Sequence, residues 1–117
     1  MRIETLEKEI QSCKEKLISL NAERPTLKNY ETVGMRVSHQ VYGEGIITQS
    51  DKSYTIVEFS SGKKKFQTPT VFENEILISE YPDYAFNIRR RKEIDNLIIE
   101  LNEAILEKEE RLAALII

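Results

Sequence analysis

What this sequence lacks excludes several functions at once. It has a single cysteine, Cys13. No disulfide can close within the chain, and Cys13 falls in a helical pattern as a small core residue. It has a single histidine, His39, with no second ligand type clustered beside it. A hydrogen-bonding role is expected for His39, and a metal site is not. There are only four glycines, and they form neither a phosphate-cradling loop nor a Gly-x-Ser-x-Gly nucleophile turn. No Cys–His pair has an orienting third group. The many carboxylates lie at helix-surface spacings beside lysines, as solvated or ion-paired groups. These absences predict no catalytic residue, no cofactor, no metal and no small-molecule substrate, hence no enzyme.

Long apolar runs are missing too. No stretch approaches the roughly 20 apolar residues of a membrane span. The start, Met1-Arg2-Ile3-Glu4, lacks the apolar core of a signal peptide. With one cysteine, this pattern predicts a cytoplasmic protein with no membrane partner. Basic charge is not in excess: the net charge is -3, so the chain as a whole is not drawn to nucleic acid or acidic membranes.

What is present is two helical patterns around a different middle. Residues 1–24 carry Ile3, Leu6, Ile10, Cys13, Leu17 and Leu20 at alternating spacings of three and four, a heptad seam. Pro25 cannot continue that helix, so it should end at about Ala22. Residues 82–117 repeat the period through Ile94, Ile98, Leu101, Ile105, Lys108, Leu112 and Leu115, with Pro82-Asp83 as the start signal. Neither amphipathic helix is expected to be stable alone. Antiparallel pairing sets Leu20 against Ile94, Leu17 against Ile98, Cys13 against Leu101 and Ile10 against Ile105. Leu97, Ile99, Leu106, Ile116 and Ile117 widen the apolar face of the second helix beyond one partner's reach. Leu97, Ile99 and Leu106 are therefore the expected homodimer interface.

Residues 33–80 read as five short strands broken by turns. The strands are Met35–His39, Ile46–Gln49, Tyr54–Phe59, Lys64–Gln67 and Ile76–Ile78. Turns are expected at Tyr42-Gly43-Glu44-Gly45 and Ser60-Ser61-Gly62, and another through Val71-Phe72-Glu73-Asn74. A small barrel fits this pattern, filled by Val37, Ile46, Val57, Phe59 and Phe66. The fold class is then α+β: a small five-stranded β-barrel inserted between two long helices that form an antiparallel coiled-coil hairpin. Roughly fifty residues of core material suffice for such a barrel and not for a substrate cleft.

The middle segment also resembles a known family. Val33-Gly34-Met35-Arg36-Val37-Ser38-His39, Tyr42-Gly43-Glu44-Gly45-Ile46-Ile47, Val57-Glu58-Phe59 and Lys64-Lys65-Phe66 resemble the Tudor-like domain at the C-terminus of UvrD/PcrA-type bacterial helicases. The stretch from Phe66-Gln67-Thr68-Pro69 through Leu77-Ile78 and Tyr81 is similar to the RNA-polymerase-interacting domain of CarD and of the transcription-repair coupling factor. The resemblance implies an SH3-like barrel and a protein partner such as the polymerase β subunit, in bacterial transcription or DNA repair. It is confined to the centre; the helical ends match neither family, and no motor is present.

Two basic clusters remain. Lys63-Lys64-Lys65 follows a turn, with Lys63 and Lys65 on the face opposite Lys64. Arg89-Arg90-Arg91-Lys92 lies in the first turns of the second helix. They suit phosphate contacts, with Tyr42, Tyr54 and Tyr84 for stacking. Equally, they suit solvated surface paired with Glu73, Glu75 and Glu80. Residues 33–80 hold five basic and six acidic side chains, a net of about -1, which favours a protein-interaction module over nucleic-acid binding. Tyr42, Glu44, Lys63 and Lys65 are the expected partner-binding residues, and Arg89, Arg90, Arg91 and Lys92 the nucleic-acid alternative. A structural oligomerisation element is the third reading.

Overall fold

A computed structural model describes residues 2–116; Met1 and Ile117, the outer ends of the two expected helical arms, lie outside them. The elements run α1 (Arg2–Glu23), a 3-10 turn (Arg24–Thr26), β1 (Arg36–His39), β2 (Gly43–Ser50), β3 (Tyr54–Phe59), β4 (Gly62–Gln67), α2 (Thr70–Glu73), β5 (Leu77–Ser79) and α3 (Tyr84–Ile116). The protein is α+β: a five-stranded antiparallel sheet with a long helix at each end. It divides into two compact units, one joining residues up to Leu27 with those from Arg91 onward, the other Lys28–Arg90.

In the helical unit, α1 ends where Pro25 removes a backbone donor, and the chain tightens into the 3-10 turn. The heptad positions are covered except at the two ends of the seam, where Ile3 and Leu115 are exposed. Ile10, Ile94 and Ile105 are buried, and Leu6, Cys13, Leu17, Leu20, Ile98, Leu101 and Leu112 are half-buried. Ion pairs join the two helices. The Arg24 guanidinium donates to both oxygens of Asp95, at 2.7 and 3.2 Å, and holds that carboxyl below its usual range. Lys108 meets Glu9 at 3.6 Å and Lys14 meets Glu109 at 3.9 Å. Arg24 near the end of one arm faces Asp95 near the start of the other, and Glu9 faces Lys108, so the two arms run in opposite directions. Lys108, the one charged residue of the seam, is half-buried, with its stem covered and its ammonium on Glu9.

In the sheet unit the strand order is β4-β3-β2-β1-β5, every neighbour antiparallel. This ladder has two ends. The expected closed barrel is not formed, because β4 and β5 each pair on one side only. A two-residue turn at Ser60-Ser61 joins β3 to β4, with Gly62 at φ 122°. The β2–β3 turn is held by Asp51, whose carboxylate accepts the N–H groups of Tyr54 and Ser53 and is thereby held below its usual range. The core comprises Met35, Val37, Ile47, Val57, Phe59, Val71, Phe72, Leu77 and Tyr84. Val71 and Phe72, expected in a turn, form the single helical turn α2 and are buried, the Phe72 ring meeting Tyr84 edge-on.

Two expectations about β2 are corrected. The strand begins at Gly43, so only Gly43, with φ 78°, acts as a turn glycine. And Ile47, not Ile46, fills the core: Ile47 is 1% exposed and Ile46 48%. The phase is set by Gly45, which pairs with Phe59. A Cβ there would sit 2.6 Å from Val57 Cγ1 and 2.7 Å from Phe59 Cδ1. Gly45 must face the core, and alternation turns Ile46 outward. Phe66 is half-buried at the rim.

Gly45→Ala should therefore cost about 1–3 kcal/mol by overpacking. That lowers the melting temperature by at least roughly 4 °C. Ile46→Ala, next to it but exposed, should stay within about 0.5 kcal/mol. Equal melting curves for the two variants would show that the Phe59 ring does not lie against this backbone.

Candidate interaction surface

Strand β4 is an edge, and its register decides what it displays. Lys63 stands across from Glu58 and Lys65 from Ile56; both lysines are exposed, on the face away from the core. Lys64 and Phe66 stand across from the buried Val57 and Thr55, and are half-buried on the core side. The Lys65 ammonium lies 4.0 Å over the Tyr54 ring and the Lys64 ammonium 5.0 Å over Tyr42, contacts that orient both side chains. An edge strand offers backbone donors and acceptors to another strand. Lysines along it repel a second copy of the same edge and admit a partner of opposite charge.

Tyr42 belongs to a different grouping. The His39 imidazole accepts the backbone N–H groups of Val41 at 3.0 Å and Tyr42 at 3.2 Å through Nδ1. These bonds fold the β1–β2 turn back onto the ring. His39 stacks on Tyr42 at 4.6 Å, and Phe59 and Phe66 complete an aromatic rim on the core side of the sheet. Tyr42, 37% exposed, is thus separated by the sheet from Glu44, Lys63 and Lys65, which share the outer face.

Arg89 donates to the Glu73 carbonyl at 2.7 Å, and Asp95 feels the charge of Arg91. Arg90 and Lys92 have interactions of their own. Four consecutive helical residues point about 100° apart, so this run does not make one basic face. Leu97 is half-buried, whereas Ile99 and Leu106 are 57% and 60% exposed. Among the described residues no cluster of three or more His, Cys, Asp or Glu could hold a metal. Among the described residues no helix is long and apolar enough to cross a membrane.

Two features were not anticipated from sequence. Tyr30 stacks on Tyr81 at 4.1 Å and donates its hydroxyl to Asp83, which also accepts from Asn87. Tyr30 stands in a segment with no periodicity to mark it. The other is an apolar strip on the outer face, Ile46 and Ile78. Its signal was the run Ile76-Leu77-Ile78, where alternation forces one of any two neighbours outward. The chain matches no protein-family model, and no curated protein or solved structure is significantly similar to it. The surface is therefore read from its own residues.

His39→Ala should leave the turn's N–H groups without their acceptor. Amide exchange of Val41 and Tyr42 should quicken by on the order of tenfold, since each lost bond is worth about 1 kcal/mol, while exchange in β3 stays as it was. Unchanged exchange at those two amides would remove His39 as the organiser of the turn.

Proposed function

We propose that this protein is a non-enzymatic interaction module whose sheet unit receives an extended, acidic segment of a partner protein along β4. The observation that carries the reading is the edge position of β4 with Lys63 and Lys65 directed outward beside it. Main-chain pairing along an edge supplies affinity, and the alternate side chains supply selection. In this reading the five strands are an SH3- or Tudor-like barrel left open between β4 and β5. The helical arms are an antiparallel coiled-coil hairpin in a cytoplasmic adaptor. The resemblance to UvrD/PcrA-type and CarD-type domains directs the search for the partner to bacterial transcription and DNA-repair complexes, with RNA polymerase first.

The test uses immobilised bacterial RNA polymerase core enzyme and the full chain. The wild-type chain should bind. Lys63→Glu with Lys65→Glu should bind at least roughly tenfold more weakly, a loss of about 1.4 kcal/mol. Both positions are exposed, so stability should move by no more than about 0.5 kcal/mol. Equal binding by the folded double variant would remove β4 as the contact; no binding by the wild-type chain would remove the polymerase as partner.

The helical unit has its own proposed role. Ile99 and Leu106 stand exposed one heptad apart, and a second copy would cover this stripe; Leu97, half-buried, points to the other side of the helix. Light scattering at micromolar concentration should give twice the 13.6 kDa chain mass, and Ile99→Glu with Leu106→Glu should return it to the single-chain value. A wild-type monomer would refute the dimer.

A further inference from the structure

The outer face of the sheet carries a concavity of about 530 Å³ between β5, β1, β2 and the end of β3. Its shape follows from the register. Arg36 pairs with Ile46 and Ile46 with Glu58, one row across the sheet. In the next row Ser38 stands between Ile78 and Glu44. Ser38 is the small residue of that row, so the surface dips between its larger neighbours. Ile46 and Ile78 wall the dip, 48% and 58% exposed.

The charge around it leans acidic, most clearly at Glu44. Glu44, Glu58 and Glu80 line the groove with Arg36, and Lys63 stands across from Glu58 at its margin, three carboxylates to two cations; the Glu80 carboxylate already accepts the Arg36 backbone N–H. Neither Glu44 nor Glu58 has an ion-pair partner among the described residues. Unpaired carboxylates beside exposed aliphatic walls match one kind of side chain, an aliphatic stem ending in a cation. The volume accommodates a few residues of a bound segment.

We infer that this groove docks a peptide segment in which lysine or arginine alternates with aliphatic residues. The aliphatic side chains and cation stems lie on Ile46 and Ile78, and the cationic heads meet Glu44 and Glu58. It is a second site, chemically opposite to the β4 edge, and it does not depend on that edge binding anything.

The probe is a capped heptapeptide of alternating lysine and valine, titrated into the ¹⁵N-labelled full chain and followed by amide shifts. Shifts should centre on Ser38, Glu44, Ile46, Glu58 and Ile78. A glutamate–valine peptide, which lacks the cation, and a lysine–serine peptide, which lacks the apolar surface, should each bind at least roughly tenfold more weakly. Glu44→Gln with Glu58→Gln should weaken the lysine–valine peptide by a similar factor and leave the spectrum otherwise intact. Shifts confined to residues 62–67 would support the edge and overturn the groove. So would equal binding of the three peptides, unchanged affinity of the double variant, or no shifts at millimolar peptide.

Discussion

The contact on which the sheet unit depends is the Phe59 ring lying against the Gly45 backbone. Only a hydrogen fits there: a Cβ would come within 3 Å of three side-chain atoms. Gly45 therefore faces the core, and because side chains alternate at a period of two, the phase of β2 follows. Ile47 goes inward; Glu44 and Ile46 go outward. A slip of one residue would bury a carboxylate and expose Ile47, at a cost of several kcal/mol for the unpaired charge alone. The outer faces of β2 and of the groove beside it take their residues from that one choice of phase.

Much of the layout was legible in the sequence, for reasons that differ by element. β3 was readable to the residue because Thr55, Val57 and Phe59 alternate with Ile56 and Glu58, and the structure buries the first three. The helical seams were readable because seven-residue periodicity survives over several turns, and Pro25 marks a boundary chemically. β2 was misphased because Gly43 and Gly45 look alike in sequence while acting differently. Gly43 supplies a positive φ, whereas Gly45 supplies room, and room is visible only once Phe59 is opposite. α2 was taken for a turn because four residues carry no periodicity; its helical turn is fixed by the burial of Val71 and Phe72.

The candidate site divides along the same line. That Lys63 and Lys65 share a face could be read from alternation, and β4 places them so. That Tyr42 stands on the other face could not, because it depends on a side chain folding back. The His39 ring accepts the N–H groups of Val41 and Tyr42, and the turn collapses onto Phe59 and Phe66. Long-range aromatic contacts have no local signature. Nor do the cross-strand rows, since they require knowing that β1 lies between β2 and β5.

The distribution of charge over the outer face has a physical consequence for what the sheet unit can bind. Lys63 and Lys65 at the β4 edge and Glu44 beside Ser38 stand on one side of one sheet, two strands apart, with Glu58 between them across from Lys63. Neighbouring strands lie about 4.8 Å apart and charges on a surface are screened beyond roughly 8 Å at about 0.15 M salt, so Glu58 and Lys63 offset one another while Glu44 acts apart from the lysines. The near-zero net charge of residues 33–80 therefore conceals two local potentials of opposite sign. A uniformly charged partner would be attracted at one patch and repelled at the other. A partner with segregated charges gains at both, and its orientation on the sheet is set before any apolar contact forms. The same segregation disfavours nucleic acid, whose uniform negative charge would meet Glu44, Glu58 and Glu80 as soon as it spread beyond the β4 edge.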